Sequence, residues 1–364
     1  MKASVFYGVG KPLQIEEIDI DDPHGHEVLV KIIASGVCHS DLHIVEGKMP
    51  FPAPIILGHE PAGIVEKVGE EVTEFAPGDH VIARVTVYCG HCTMCLSGAP
   101  NQCINRVSTQ RKPEERPRMM LNGRKITGLA DGAGFAEKML VHEHALVTID
   151  KDIPLDKASL IGCGVMTGAG AVFNTARVQP GTTVAVFGAG GIGLSAIQAA
   201  RIAGARRIIA VDIAENKLAI ARRLGATHTV DASNSDPVEE IRKIAGNGGV
   251  DYSIEAVGTK QTAEAAIACL AVRGTATLIG LLPAGQTVEF QPGFVISGER
   301  KVQGCLSGST RWRIDAPRLV ELYQQGRLNL DDMVSRHGRL EDLNEAFRAM
   351  KAGEVVRTIL MFPQ

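Results

Sequence analysis

A strand, a glycine turn and a helix follow one another from residue 182, and no other feature restricts the possible folds as tightly. Thr182 to Phe187 is a strand-like apolar run, Gly188-Ala189-Gly190-Gly191-Ile192-Gly193 follows it, and an Ala-rich helical stretch opens at once. A second strand-like run, Arg206 to Asp212, ends on a carboxylate nineteen residues past Gly193. GxGxxG alone is a weak signal in a chain with 40 glycines. Between a strand and a helix, with an acidic residue closing the next strand, it predicts a dinucleotide-binding βαβ unit. Gly188 permits the tight turn, Gly190 lets a pyrophosphate approach the backbone, and Gly193 lets the helix pack on the sheet. The helix start at Gly191 and Ile192 offers unpaired N–H groups to phosphates. Asp212 is expected to accept hydrogen bonds from the adenosine ribose and to repel a 2′-phosphate, which favours NAD over NADP. Lys217 is either a ribose or phosphate contact or a solvated helix lysine.

The alternation continues. Glu215–Leu224, 237–245 and 260–271 read as helices between strands at Thr227–Val230, Val250–Ala256 and Gly274–Gly280. That order implies an α/β domain with a doubly wound parallel sheet over 165–305. Residues 1–164 differ: short runs bounded by Gly and Pro predict a β-rich domain. Val28, Val30 and Ile32 form one face of a strand there, and Gly78-Asp79 is a turn leading into a strand. Helices at 315–325 and 341–351 return the chain, so 306–364 is expected to complete the first domain.

Composition removes several classes. Net charge is −3, with one Trp, four Tyr and ten Phe in 364 residues. A nucleic-acid binder should carry a basic excess or stacking aromatics, so no nucleic-acid partner is expected. The N-terminus has no long apolar stretch of a secretory signal. Ala158–Ala176 and Val178–Ala200 are uncharged but broken by glycines and polar residues, and read as buried core rather than membrane spans. Arg111–Arg118, with two prolines, reads as a solvated charged loop.

Four of the eight cysteines lie within fifteen residues. Cys89-x2-Cys92-x2-Cys95-x7-Cys103 is spaced to close a tetrahedral zinc shell with no open position, a structural site. This clustering suits a reduced, cytoplasmic metalloprotein rather than a disulfide scaffold. Cys38, His59 and Cys163 are further metal-ligand types, too distant in sequence for spacing to connect them. Cys38 reads as a strand end, and Cys163 alone is equally well a small core hydrophobe.

Together these motifs resemble the zinc-dependent medium-chain alcohol dehydrogenases, liver-type and related bacterial members. Gly58-His59-Glu60-x2-Gly63-x5-Gly69-x2-Val72 matches the family's zinc signature, and the four-cysteine lobe, the glycine loop and Gly353-Glu354-Val355-Val356-Arg357-Thr358-Ile359-Leu360 match in order. The resemblance implies a GroES-like catalytic domain plus a Rossmann domain, and two zincs per chain with NAD as cofactor. It makes Cys38, His59 and Cys163 the catalytic zinc ligands, with a fourth position left for water or substrate. Ser40 and His43 match the proton relay, Asp41 and Glu60 the shell behind the ligands, Thr167 a nicotinamide contact and Arg357 a pyrophosphate contact. His39 stands where liver-type members often carry a phosphate-binding arginine. The segment between Cys103 and Gly134 is longer than in the tetrameric members, which implies a homodimer.

The implied substrate is an alcohol or aldehyde. Val85, Thr86, Met49, Leu281 and Leu306 are expected around it, a mostly apolar set that suits a primary alcohol with an aliphatic or aryl tail. A glutathione-dependent formaldehyde dehydrogenase is the alternative, with Arg106 or Arg111 serving an anionic adduct. A polyol dehydrogenase typically has Glu where Cys163 stands. A cofactor-binding structural protein would not need Ser40 and His43 beside complete zinc sets.

Overall fold

The computed structural model describes residues 1–84, 86–129, 132–246 and 248–363, so Val85 lies outside the described residues. The chain divides into two compact units. The first holds Met1–Cys163, Arg311–Gln325 and Met333–Gln364; the second holds Gly164–Thr310 and Gly326–Asp332. The changeovers fall at 163/164 and 310/311, against the expected 164/165 and 305/306. The return of 326–332 to the second unit has no counterpart in the sequence pattern.

The first unit is β-rich. Among the described residues its largest sheet runs in the order Leu146–Ile149, His80–Ala83, Pro61–Val68, Glu27–Gly36, Thr358–Met361 and Arg336–Gly338, with Lys138–His142 also on Glu27–Gly36. Glu27–Gly36 is therefore central. Val28, Val30 and Ile32 are fully buried as the alternation predicts, but Leu29 and Ile33 are buried too, because both faces are covered. Cys38 is not a strand end. The strand stops at Gly36, and Cys38, still extended, is the N-cap of the helix His39–Val45.

The charged segment is exposed over 112–116, as a solvated loop would be, but Arg111 and Arg118 at its two ends turn inward. Arg111 donates to Glu27 Oε1 at 3.0 Å and to Glu27 Oε2 at 2.6 Å, and Arg118 donates to Glu27 Oε1 at 2.7 Å. Burial opposes the Glu27 charge, but these two cations hold its carboxyl below the ordinary glutamate range.

In the second unit six parallel strands lie in the order His228–Asp231, Arg207–Asp212, Thr183–Phe187, Val250–Glu255, Leu270–Leu278, Lys301–Gly304. By position in the chain that is 3-2-1-4-5-6, the Rossmann order, with ligands expected where the order reverses beside Thr183–Phe187. Helices Glu215–Leu224 and Pro237–Ala245 match the expected spans. The sixth strand, Lys-Val-Gln-Gly, was not foreseen. It is four residues at a sheet edge, too short and polar to show a period.

Among the described residues no single helix is long and apolar enough to cross a membrane. The helix Gly164–Gly170 in the first uncharged stretch is wholly buried.

Candidate functional site

The four-cysteine lobe is assembled from short turns. Cys92 caps the helix Thr93–Leu96, Cys103 follows the turn Pro100–Gln102, and Gly90 and Gly98 take the left-handed backbone that these turns require. The sulfurs converge: Cys92 to Cys95 is 3.5 Å, Cys92 to Cys103 is 3.9 Å and Cys89 to Cys95 is 4.0 Å. Zinc–sulfur bonds of about 2.3 Å give a tetrahedron with edges of about 3.8 Å, so the lobe fits a zinc ion. The Cys89 and Cys92 amides donate to Cys103 Sγ and Cys89 Sγ, both at 3.3 Å. Backbone N–H groups of Cys95 and Ile104 bring the Cys92 thiol down to about 6, toward the thiolate that a metal needs.

The second cluster lies wholly in the first unit. Cys38 heads its helix, His59 and Glu60 lead into the strand Pro61–Val68, and Cys163 follows the turn Leu160–Gly162. Tertiary pairing joins what spacing could not: ligand atoms of Cys38, His59, Glu60 and Cys163 all lie within 4.8 Å of one another. Two thiols and an imidazole suit zinc. Glu60, expected behind the ligands, is close enough to be a fourth donor. A hydrogen bond from Cys163 and the charges on His59 and Arg357 hold the Cys38 thiol well below its ordinary value.

Behind this set stand buried charges. Asp41, fully buried, accepts from the Gly58 amide at 3.0 Å, and its other oxygen is 3.0 Å from His59 Nδ1, bent away from an ideal hydrogen bond. With Nδ1 turned to Asp41, Nε2 is the atom left for a metal. Burial pushes the Glu60 carboxyl up to about 7, against the pull of Arg357. Arg357 donates to Glu60 Oε1 at 2.9 Å and to the Val37 carbonyl at 3.1 Å. Expected among the cofactor contacts, Arg357 is thus 3% exposed in the shell of the metal set. Arg84, equally buried, was not foreseen; burial brings it down to about 10, with Cys163 acting in the opposite sense. An arginine that follows a strand gives no sequence signal of burial.

The expected relay residues share the helix that Cys38 caps. Ser40 Oγ is 3.8 Å from Cys38 Sγ, and His43 lies one turn further on, half-buried. Burial, then the charge of Lys48, lowers His43 from its ordinary value. Thr86 is half-buried, and Met49 packs against the core of the first unit. Arg111 is engaged by Asp21 and Glu27, which leaves it unable to serve an anionic adduct.

In the second unit, Gly188 has φ +90°, and a Cβ on Gly193 would stand 1.7 Å from the Gly188 carbonyl oxygen. Gly190 faces open space, with nothing among the described residues within 4 Å of where its Cβ would be, and it caps the twelve-residue helix Gly191–Ile202. A glycine with room beside it at a helix N-terminus fits a pyrophosphate. Asp212 closes its strand and accepts from the amides of Ala189 at 2.7 Å, Ile213 at 2.8 Å and Ala214 at 3.0 Å, so it also pins the glycine loop. Lys217 is half-buried. Thr167 is buried on the helix Gly164–Gly170, where a Cβ on Gly168 would stand 2.1 Å from the Ile192 carbonyl oxygen. Leu281 and Leu306 are exposed.

Residues 24–151 match the alcohol dehydrogenase GroES-like domain, and residues 191–325 match the zinc-binding dehydrogenase domain. An alcohol dehydrogenase zinc-binding domain protein from Burkholderia ambifaria is 37% identical, with a TM-score of 0.94 over 100% of this chain and 99% of that one. Benzyl alcohol dehydrogenase from Acinetobacter calcoaceticus is 34% identical, with a TM-score of 0.93 over 100% and 99%. A structure from Sinorhizobium meliloti 1021, bound to NADP, is 29% identical with a TM-score of 0.84 over 99% of each chain. Fold, metal clusters and full-length similarity define the class, a zinc-binding dehydrogenase. The chain belongs to the zinc-binding medium-chain alcohol dehydrogenase family and is a zinc-dependent alcohol dehydrogenase.

Proposed function

We propose that this enzyme interconverts a primary alcohol, aliphatic or aryl, and its aldehyde with NAD. The observation that carries the reading is the buried Cys38–His59–Cys163 set, with Ser40 beside it on the helix that Cys38 heads. Zinc there would polarise the substrate oxygen and lower the pKa of the alcohol, while the nicotinamide would take the hydride. Cys38 and Cys163 as thiolates would partly neutralise the metal charge, and Asp41 holds the His59 ring so that Nε2 is presented. Ser40 would take the alcohol proton as its own hydroxyl proton moves to a cofactor ribose hydroxyl and out through His43; a half-buried, neutral imidazole is suited to that task. The Cys89, Cys92, Cys95 and Cys103 site holds a second, structural zinc.

On the cofactor side, Gly188, Gly190, Gly191, Ile192 and Gly193 cradle the pyrophosphate. Asp212 and Lys217 take the adenosine ribose and Thr167 lies by the nicotinamide, while Arg357, paired with Glu60, supports the metal set. The carboxylate of Asp212 supports NAD over NADP. A benzyl alcohol dehydrogenase among the relatives supports an aryl substrate. The long segment after Cys103 supports a homodimer, and eight free cysteines are in keeping with the cytoplasm.

The test is absorbance at 340 nm with ethanol, hexanol and benzyl alcohol, each with NAD and NADP, and formaldehyde with and without glutathione. NAD reduction by the longer or aryl primary alcohols is expected. Turnover only with formaldehyde and glutathione would overturn the substrate reading.

A further inference from the structure

We infer that Glu255 is a positioning residue for the dinucleotide site, its side chain holding the loop that follows its strand at the carboxyl end of the sheet, beside the glycine loop. The inference rests on the cofactor reading above. Glu255 is fully buried and ends the strand Val250–Glu255, next to Thr183–Phe187 where the strand order reverses. Open α/β sheets bind ligands at the carboxyl ends of the strands at that switch point.

One carboxylate oxygen does most of the work. Glu255 Oε1 accepts from the Val257 amide, the Gly258 amide and Thr262 Oγ1, each at 2.8 Å. The Glu255 carbonyl accepts from the Ile279 amide at 2.9 Å and the Gly280 amide at 3.2 Å, in the loop after the next strand. The two loops touch through glycines. A Cβ on Gly280 would stand 2.1 Å from the Gly258 nitrogen and 2.5 Å from Glu255 Oε2, and one on Gly258 would stand 2.7 Å from the Leu281 carbonyl oxygen.

The tied loop reaches the phosphate loop. The Ala256 amide donates to the Phe187 carbonyl at 3.0 Å, and a Cβ on Gly188 would stand 2.7 Å from Val257 Cγ2. Val257, 44% exposed, is therefore set over the first glycine of the motif by the bond from its own amide to Glu255. Among the described residues Glu255 Oε2 is buried with no hydrogen-bond partner, a cost that a simple turn-capping residue would not carry. Holding Val257 and Gly258 at the cofactor edge accounts for an acid being kept there.

The experiment measures NAD and NADP dissociation constants, steady-state KM and kcat, and zinc content for wild type, Glu255→Gln, Glu255→Asp and Glu255→Ala. Glu341→Gln, on the exposed surface, is the control. Glutamine keeps an acceptor at the Oε1 position, so Glu255→Gln should bind within threefold of wild type. Aspartate is one methylene short and alanine has no acceptor; both should raise the dissociation constant and KM for the dinucleotide about tenfold or more. Their kcat should fall less than KM rises, and zinc content should not change.

Binding within twofold of wild type in the Asp and Ala variants would overturn the proposal. So would equal losses in Gln and Ala, which would show that charge and not the acceptor matters, or a failure of both Asp and Ala variants to fold, which would show a role in folding only. If wild type binds neither dinucleotide, the cofactor reading itself fails.

Discussion

Asp41→Asn is a one-atom change with a large expected effect. Asp41 is fully buried, with one oxygen on the Gly58 amide at 3.0 Å and the other 3.0 Å from His59 Nδ1. Both neighbours are donors when His59 is in the tautomer that leaves Nε2 for zinc. An asparagine has one acceptor and one donor, so in either orientation its NH2 group meets an N–H. If it meets Gly58, a buried amide loses its partner. If it meets His59, the imidazole is driven to the tautomer with Nε2 protonated, which cannot ligate. A buried unsatisfied group costs about 1–3 kcal/mol, which is roughly 5- to 150-fold in an equilibrium constant. Loss of a carboxylate behind a zinc-bound histidine typically costs about 10–100-fold, in the same range. The assay is chelator competition at fixed pH, following the more weakly held zinc while the four-cysteine zinc serves as an internal reference. Zinc affinity and kcat/KM both unchanged in Asp41→Asn would refute the assignment of Asp41 as the group that presents His59.

Three further outcomes are expected. Cys95→Ala should lose one zinc per chain by metal analysis and lower the melting temperature, because structural zinc binding is folding free energy. Asp212→Asn with Ile213→Arg should shift the NADP-to-NAD ratio of kcat/KM by roughly tenfold or more toward NADP, since a like charge is removed and a cation supplied; asparagine keeps an oxygen for the Ala189 amide, which glycine would abandon. A wild type that already prefers NADP contradicts this. His43→Gln should slow alcohol oxidation near pH 7 by up to ~10²–10⁴-fold and by less at high pH, where hydroxide takes the proton. Burial and Lys48 hold the His43 pKa below its ordinary value, so it is a neutral base at pH 7 and its loss should be felt there. Superimposed pH profiles, with a deuterated substrate showing that hydride transfer limits the rate, would remove His43 from the relay.

The parts legible in the sequence are those built from contiguous residues. The turn from Phe187 to Gly193 needs its glycines in one run, because the close approaches at Gly188 and Gly193 are local. The four-cysteine lobe is likewise one stretch. Cys38, His59 and Cys163 are brought together by the turn at 160–162 and the strand pairing of 27–36 with 61–68, and only the family resemblance linked them beforehand. Arg111 read as solvated because its partner Glu27 is 84 positions away. Glu255 gave no signal: a glutamate at a strand end looks like any surface acid until the amides of Val257 and Gly258 turn in to meet it. The strand Lys301–Gly304 is recognisable only from its parallel partner at Thr275–Leu278.

On the proposed reading, one zinc serves chemistry at Cys38, His59 and Cys163 while the other serves the fold at the four cysteines. Zinc per chain, measured alongside alcohol-dependent NAD reduction in wild type and Cys38→Ala, separates the two roles. Two zincs and turnover are expected in wild type, and one zinc, no turnover and retained NAD binding in Cys38→Ala. A wild type that carries one zinc or none with full activity, or a Cys38→Ala variant that still turns over, would contradict it.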